Sequence, residues 1–508
     1  MKQSVASIIL VASLFTACTS SKIANYHFNQ KTAAPQLQQD VMLLKQILEA
    51  NHPSLYWYTP KDSLDAAFNN AFNSITDSLT EIEFRNRIAA VISKIRCGHT
   101  AVKFSKNYAS AVEAHRYPSF PLSIKTWGDS MVVLGSLFPR DGTFKRGTII
   151  TSINNRSSKQ LIDSMSQLLS TDGYSDNFKS QVFSINFPNW YKLAFGIDST
   201  YSIGYIDAFG NAKTKVVTNF SPVKDTTKHT KTIGGKPVTP PPSIVKKSSK
   251  HQQKQIQLLA KRSLTIDTAN STALLRVATF SGSLKPFFKQ SLKKIAHQHI
   301  KNVVVDVREN TGGKLENSTA LTRYFSNKSF KTGDTIAAIT RNIHYKRYIA
   351  QSYFLWLPMQ IFSKKRADGR YHKLRDEIHI YKPQKQFHFN GDIYLLQGGL
   401  SFSAATLFVS NLKGQRNVTV VGEETGGGFY GNTAMFLPTV ILPNSKLRII
   451  LPLYRLVIDS SREKNGHGIL PDILLPPNSI AIKKGIDLKM DTIKSIILKK
   501  TTVSSIPN

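Results

Sequence analysis

The stretch "GGLSFSAATLF" places one serine hydroxyl, that of Ser403, where a glycine-rich turn meets a helix. The preceding run "GDIYLLQGG" alternates like a strand, and Ala404, Leu407 and Phe408 have helical spacing. The hydroxyl can cap the helix by accepting a backbone hydrogen bond. It can instead act as a nucleophile, with the first free N–H groups of the helix binding a developing oxyanion. The local pattern does not choose between these two roles.

A second group of polar residues follows another apolar strand. The run "VVVDVRENTGG" puts Asp306, Arg308 and Asn310 at the end of the strand, and Gly312 and Gly313 in the turn. Ligands of open α/β sheets bind at the carboxyl ends of the strands. Glycine lets backbone N–H groups approach a substrate oxygen closely. A nucleotide site is not favoured, because the chain has no Gly-x-Gly-x-x-Gly or Walker pattern at this turn.

The elements that carry these residues follow a predicted export signal. Residues 1–18 combine a basic start, an apolar run too short to span a bilayer, and small residues before Cys18. This resembles a bacterial lipoprotein signal, in which Cys18 becomes the lipidated N-terminus; an ordinary secretory peptide cleaved nearby is the alternative. Residues 19–35 fit a tether. Since Cys97 is the one other cysteine, we expect no disulfide framework, no cysteine-based metal site and no cofactor.

The net charge of +35 is large and spread along the chain. Such a balance favours acidic partners. The sequence has no helix-turn-helix, zinc-finger or other nucleic-acid signature, so we expect no nucleic acid partner and interpret the charge as favouring an anionic envelope surface.

Changes in periodicity divide the rest of the chain. Residues 36–112 have helical apolar spacing, with a capping signal at Asp77, Ser78 or Thr80, and predict an N-terminal helical domain whose end turns strand-like at "KIRCGHTAVKF". Residues 113–220 alternate like strands, and "RGTIITSINN" predicts a strand and an Asn-Asn turn before a helix. This region resembles a PDZ domain, although any small β-rich module fits; PDZ domains extend their sheet with a bound peptide end.

The second half of the chain predicts a linker, a large core and a tail. Residues 221–262 are rich in Lys, Thr, Pro and Ser and predict a basic linker. Residues 263–485 begin with a strand, a helix and a strand, which predicts parallel pairing by a right-handed crossover. Within this core, "YFLWLPMQIFSKKR" is an aromatic and basic insertion that either caps a cleft or forms a buried amphipathic helix. Residues 486–508 form the predicted C-terminal tail.

Three ordered motifs, "VVVDVRENTGG", "GGLSFSAATLF" and "VVGEETGGGFYGN", after a PDZ-like module, resemble the C-terminal processing, or tail-specific, serine peptidases. The resemblance implies a multidomain α/β protein: an N-terminal helical domain, a PDZ-like β-rich domain and an α/β peptidase core of the crotonase-like (ClpP-like) type. Ser403 matches the family's nucleophile, and Ser401 is the second choice.

One branch of that family takes its base from a lysine in a Gly-Lys-Gly turn, but Gly428 holds that position here. The other branch, resembling the tricorn core and the repeats of interphotoreceptor retinoid-binding protein, takes its base from a histidine after the helical domain, and His99 in "CGHTAVKF" matches it. An imidazole can accept the seryl proton and return it to the leaving amine. In a rival reading Cys97 is the nucleophile; two residues apart on a strand, Cys97 and His99 would lie side by side, so a buried thiol is favoured.

The resemblance also implies an acidic residue that orients the histidine. "SREKNGHGILPDILL" fits the family's pattern and makes Glu463 the candidate. The tricorn-like pattern has a serine beside the histidine, where this chain has Gly98, so Thr100, a water or another carboxylate is needed to relay the orientation. His467 in the same turn is a further possible base.

These inferences predict a lipid-anchored serine endopeptidase of the bacterial cell envelope, on the periplasmic side of the outer membrane. Ser403 would attack a peptide carbonyl of a polypeptide substrate, His99 would act as base and then acid, and the N–H groups of Ala404 and of Gly312 or Gly313 would stabilise the oxyanion. The alternative is a non-catalytic envelope protein that binds peptides or lipophiles on the same fold.

Overall fold

The computed structural model describes residues 26–115, 117–138, 140–221, 231–233, 236–238 and 250–504. The predicted signal peptide with Cys18, part of the tether and most of the predicted linker lie outside these ranges. Within them, no helix is both long and apolar enough to cross a membrane.

The N-terminal unit is helical, as the apolar spacing predicts. Its helices are α1 (Ala34–Asn51), α2 (Lys61–Asn73), α3 (Glu81–Ser93) and α4 (Lys106–Ala114). Of the three predicted capping residues, Thr80 caps α3, through a capping box with Glu83. Short strands β1 (Lys31–Thr32) and β2 (Leu79–Thr80) pair antiparallel, and β3 (Val102–Lys103) follows α3.

The next unit is an antiparallel sheet with helices against it. It contains β4 (Leu122–Trp127), β5 (Ser130–Ser136), β6 (Ile149–Ile153), β7 (Arg156–Ser157), β8 (Thr200–Ile206), β9 (Ala212–Thr218), α5 (Ser158–Ser166), α6 (Asp176–Ile185) and α7 (Phe187–Phe195). The strand order is β4-β5-β6-β8-β9, with β7 on β6. Helix α6 covers the β4 edge, where the Thr126 amide donates to Ser184 Oγ at 2.9 Å. A peptide that extended the sheet at β4 would therefore compete with α6.

The core is built on a mostly parallel sheet. Its strands, in spatial order, are β12 (Arg262–Asp267), β13 (Thr272–Val277), β14 (Asn302–Asp306), β19 (Asp392–Gln397), β20 (Val418–Gly422) and β25 (Ile473–Leu474). β12 is antiparallel to β13, and the remaining pairs are parallel. Helix α9 (Lys285–His297) connects β13 to β14, as predicted. Because β14 and β19 are parallel neighbours, the turns that follow them meet at one edge of the sheet.

Two smaller sheets complete the core, and one of them joins it to the N-terminal unit. One has the order β17 (Lys364–Lys365), β18 (Tyr371–His372), β15 (Thr335–Ala338), β24 (Tyr454–Val457) and β21 (Gly431–Ala434). Another has β16 (Ile349–Ala350), β22 (Thr439–Ile441), β23 (Arg448–Ile450) and β3. Since β3 comes from the N-terminal unit and β23 from the core, this pairing fixes the end of the helical unit against the core.

The remaining elements are mainly helices. Strands β10 (Lys231–Ile233) and β11 (Lys236–Val238) form a hairpin. The helices are α8 (Lys250–Lys261), α10 (Leu315–Phe325), α11 (Ser352–Phe362), α12 (Leu374–Ile378), α13 (Ala404–Leu412), α14 (Ser479–Lys484) and α15 (Leu488–Ser504). The segment interpreted as a tail thus contains a packed helix, because Ile493 and Ile497 of α15 are buried against Val304 and Tyr394 of the core sheet. A parallel sheet needs cover on both faces, and α15 supplies part of it.

Candidate active site

Ser403 occupies a strained turn between β19 and α13. Its backbone has φ +56° and ψ −118°, and its side chain makes no capping hydrogen bond to the helix. A non-glycine residue at such angles costs about 1–3 kcal/mol, which the surrounding structure must offset. Turns of this kind expose a nucleophile above a sheet. The geometry therefore favours a nucleophile over a helix cap.

Glycine backbone lies directly against Ser403. A Cβ atom at Gly312 would lie 2.8 Å from Ser403 Cβ and 3.2 Å from the Ala404 amide nitrogen. The Gly312 amide donates to Asn310 Oδ1 at 2.9 Å. No hydrogen bond of the amides of Gly313 or Ala404 occurs among the described residues. Of the two glycines, Gly313 therefore has the amide that is free to bind an oxyanion with Ala404.

His99 contacts Phe402, the residue that precedes Ser403. Its half-buried imidazole packs on the Phe402 ring, with 4.8 Å between centroids. Burial lowers the pKa of His99 to about 4, and within the described ranges its buried Nδ1 atom has no hydrogen-bond partner. No hydrogen bond joins His99 to Ser403 in the described part of the chain. The imidazole is thus held neutral beside the nucleophile turn, in the form that can accept a proton.

Gly98 is required by the same packing. A Cβ atom there would lie 2.5 Å from Phe402 Cζ and 3.3 Å from the Asp172 amide nitrogen. The serine of the tricorn-like pattern would therefore displace the Phe402 ring, which explains why this chain departs from that pattern.

Asp172 is a site residue that the sequence analysis missed. Its carboxylate is 2% exposed, and Oδ1 accepts a hydrogen bond from the Gly98 amide at 2.8 Å. Burial raises the pKa of Asp172 to about 7, despite the opposing hydrogen bonds from the amides of Gly98 and Gly428. Its Oδ2 atom is buried and has no hydrogen-bond partner among the described residues. No motif marks this aspartate, because it lies in the β-rich unit and meets the turn at Gly98, the residue before His99, only after folding.

A comparison with protein families identifies the core of the chain. Residues 271–475 match the model of peptidase family S41. The core is a peptidase family S41 domain. The resemblance to the C-terminal processing peptidases is therefore confirmed at the level of the family, and the chain has the multidomain α/β fold that it implies.

Solved structures share the fold of this chain at low sequence identity. Mature CPAF complexed with lactacystin is 14% identical, with a TM-score of 0.62 over 92% of this chain and 98% of that one. Mature CPAF alone is 13% identical, with a TM-score of 0.62 over 93% and 99%. No curated protein matches the sequence significantly.

The second-choice nucleophile of the S41 core has a structural role. Ser401 is completely buried, and its hydroxyl donates to the Val307 carbonyl at 2.7 Å and accepts from the Gly398 amide at 3.1 Å. These bonds hold the turn that leads to Ser403, so the Ser401 hydroxyl is not available for attack.

The structure does not bring Glu463 to His99. Glu463 is exposed, and it makes no hydrogen bond or ion pair in the described ranges. The reason lies in the preceding residue: the Arg462 guanidinium turns inward and donates to Ser410 Oγ at 2.7 Å and to the Phe429 carbonyl at 3.0 Å. The next side chain therefore points to solvent.

Two other candidates for proton transfer or relay have partners of their own. His467 is exposed and lies 3.2 Å from a carboxylate oxygen of Glu424. Thr100 Oγ1 lies 2.8 Å from His52 Nε2. Since the Ser54 amide donates to His52 Nδ1, the Nε2 atom carries the proton and donates to Thr100. The Thr100 hydroxyl thus bonds a buried histidine and not His99.

Cys97 is not an activated nucleophile. Its thiol is 3% exposed, and burial raises its pKa to about 12, so the reactive thiolate is suppressed. The premise that Cys97 and His99 lie on a strand was wrong: residues 97–100 form a turn, and β3 begins at Val102. The turn allows His99 to reach Phe402 while Cys97 points into the core.

Gly428, an uncharged residue, stands where the other branch has its catalytic lysine. Gly428 is buried, and its surroundings include the Asp172 side chain. Lys413 pairs with Asp472, and Lys446 donates to the Pro443 carbonyl. Neither lysine is bonded to Ser403. No group of His, Cys, Asp or Glu in the described ranges has an arrangement that would hold a metal ion.

Proposed function

We propose that this chain is a serine endopeptidase in which Ser403 is the nucleophile and His99 is the general base. The main support for this proposal is the strained turn at Ser403, whose hydroxyl makes no capping hydrogen bond. His99 packs on the ring of Phe402, the residue before Ser403. Ser403 Oγ bonds to the peptide carbonyl carbon as its proton passes to His99. His99 then gives that proton to the leaving amine, and the C–N bond breaks. Water hydrolyses the acyl ester by the same route.

The oxyanion of each tetrahedral intermediate would be held by the amides of Ala404 and Gly313. The Ala404 amide belongs to the Ser403 turn, and the Gly313 amide follows Gly312, whose backbone lies against that turn. Neither amide makes a hydrogen bond among the described residues, whereas that of Gly312 is bonded to Asn310. Gly312 instead contributes by its missing side chain, since its backbone touches Ser403. Preorganised donors of this kind typically contribute about 10²–10³-fold in rate each.

Asp172 is the best-supported orienting acid in place of Glu463. Its Oδ2 atom and His99 Nδ1 are both buried and have no hydrogen-bond partner in the part of the chain that the structure describes, and Oδ1 accepts a hydrogen bond from the amide of Gly98, the residue before His99. When His99 becomes protonated, an ionised Asp172 would accept a hydrogen bond from the Nδ1–H group and stabilise the imidazolium. The depressed pKa of His99 and the raised pKa of Asp172 are both caused first by desolvation.

A fluorophosphonate probe tests the proposal without knowledge of the substrate, because it phosphonylates an activated serine. We expect the parent and Ser401→Ala to be labelled, and Ser403→Ala to remain unlabelled. Absence of labelling in the folded parent would instead favour a non-catalytic protein that binds peptides or lipophiles. The missing hydrogen bond between Ser403 and His99 is the observation that favours this second candidate.

Substrates and location extend the proposal beyond the site. We infer that the enzyme cleaves exported proteins or peptides and is anchored by lipid on Cys18, on the periplasmic side of the outer membrane. The support is the lipoprotein-like pattern of residues 1–18 and the net charge of +35, which favours an anionic envelope surface.

A further inference from the structure

Helix α11 presents an apolar face to solvent. Tyr353 is 73% exposed, Phe354 79%, Leu357 54% and Ile361 59%. Leu357 follows Tyr353 by four residues and Phe354 by three, and Ile361 follows Leu357 by four, so the four side chains form one continuous ridge on the helix. The helix contains no charged residue. Contiguous apolar patches of this kind mark interaction sites.

The opposite face of α11 fixes the helix to the core. Ser352 and Met359 are buried, and Leu355 packs against the same apolar cluster as Met359. The Ser352 hydroxyl donates to the Lys346 carbonyl at 3.0 Å, and the Gln360 amide donates to the Arg341 carbonyl at 2.9 Å. The exposed ridge is thus presented by an anchored helix and is not a loose segment.

Cations surround the ridge. Residues 341–370 contain seven lysine or arginine residues and one acid, Asp368. Three of the cations, Lys364, Lys365 and Arg366, are exposed directly after the helix. At its other end, Lys346 Nζ lies 5.8 Å from the Tyr353 ring centroid and 5.3 Å from that of Trp356. Aromatic and aliphatic side chains flanked by cations are the composition of helices that lie in a membrane interface.

We propose that α11 is a docking helix that inserts its apolar ridge into the headgroup region of an anionic phospholipid bilayer. The flanking cations select this occupant, because the phosphates of anionic lipids attract lysine and arginine. A second copy of the chain would bring the same cations against each other, which disfavours self-association through this face. The inference does not depend on peptidase activity or on lipid at Cys18.

Vesicle binding tests the ridge. The partition coefficient of the full chain is measured by co-sedimentation with phosphatidylcholine vesicles and with vesicles that also contain phosphatidylglycerol. The variant Phe354→Gln, Leu357→Gln and Ile361→Gln should bind mixed vesicles about 1000-fold more weakly than the parent, since each of the three inserted side chains is worth about tenfold. Any contribution of residues 1–25 is common to both proteins and cancels in the ratio.

A matched control separates the ridge from general surface apolarity. Ile185, Phe209 and Val216 are 69%, 88% and 63% exposed in the β-rich unit. Their triple glutamine variant should bind mixed vesicles as the parent does. Circular dichroism of both variants should match the parent, because all the substituted side chains are exposed.

The cations have a separate test. The variant Lys364→Gln, Lys365→Gln and Arg366→Gln should lose about 100-fold in affinity for mixed vesicles and nothing for phosphatidylcholine alone, since each of the three cations near an anionic surface contributes about fivefold. Equal binding of the parent and the ridge variant would overturn the proposal. So would a dimer of the parent that the ridge variant converts to monomer, which would assign the face to a second copy.

Discussion

Replacement of Gly312 by alanine tests how closely the fold holds Ser403. Two costs are expected. Gly312 has φ +100°, where an L-residue is strained by about 1–3 kcal/mol. The new methyl group would also lie 2.8 Å from Ser403 Cβ, whereas ordinary contacts begin at 3.4 Å. The nucleophile or the glycine turn must therefore move by about 0.6 Å, and misplacements of about 1 Å can cost about 100-fold in rate.

A second glycine separates these two costs. Gly414 has φ +84°, and a Cβ atom there would meet nothing within 4 Å. It follows the opposite end of α13, about 13 Å of helix from Ser403. Gly414→Ala should therefore lose stability through backbone strain alone and keep its reactivity.

The assay is the second-order rate constant for phosphonylation of Ser403 by a fluorophosphonate, measured beside urea unfolding. We expect Gly312→Ala to react about 10- to 100-fold more slowly than the parent at a concentration of urea where both are folded. Gly414→Ala should react within about twofold of the parent while its free energy of unfolding falls by about 1–3 kcal/mol. A Gly312→Ala protein that reacts at the parental rate would refute the close contact on which the site is built.

Other predictions concern the base, its partner and the anchor. His99→Ala should slow phosphonylation by about two to four orders of magnitude, and the double variant with Ser403→Ala should turn over substrate no more slowly than either single variant. The parental rate should rise as pH increases through about 4, where His99 becomes neutral, and again near 7, where Asp172 ionises; Asp172→Asn should abolish the second rise. Because the folded state keeps Asp172 protonated between pH 3.8 and about 7, the free energy of unfolding of the parent should fall relative to Asp172→Asn as pH rises across that window, measured by urea titration. Glu463→Gln should change the rate by less than about twofold, because the side chain is exposed; a large loss would restore it as the orienting acid. Cys18→Ala should move the protein from the membrane to the soluble fraction, and a parent that is already soluble would contradict lipidation.

Local pattern was enough to locate several elements and the nucleophile turn. The alternation before Gly398 and the helical spacing after Ser403 predicted β19 and α13, because a strand and a helix each impose their own apolar period. The order of strand, helix and strand predicted the parallel pairing of β13 and β14. Parallel pairing in turn brought the two glycine-rich turns to one edge of the sheet.

Contacts between distant parts of the chain were decided only by the tertiary structure. Asp172 lies 74 residues from Gly98 in the sequence, in a different unit, and no spacing rule connects the two. The position of Glu463 depends on the inward turn of Arg462, which requires the Phe429 carbonyl to be in place.

The outward face of α11 could not be predicted for a different reason. A helix that is apolar on all sides carries no periodic signal for which side is buried. By itself, the sequence determined that the segment is apolar, that cations flank it and that Ser403 stands where a strand turns into a helix. The packing of Leu355 and Met359 on the core decided which side of α11 meets solvent. The ring of Phe402 decided which histidine lies at the Ser403 turn. Both outcomes depend on close packing between side chains of separate elements, which no local sequence pattern encodes.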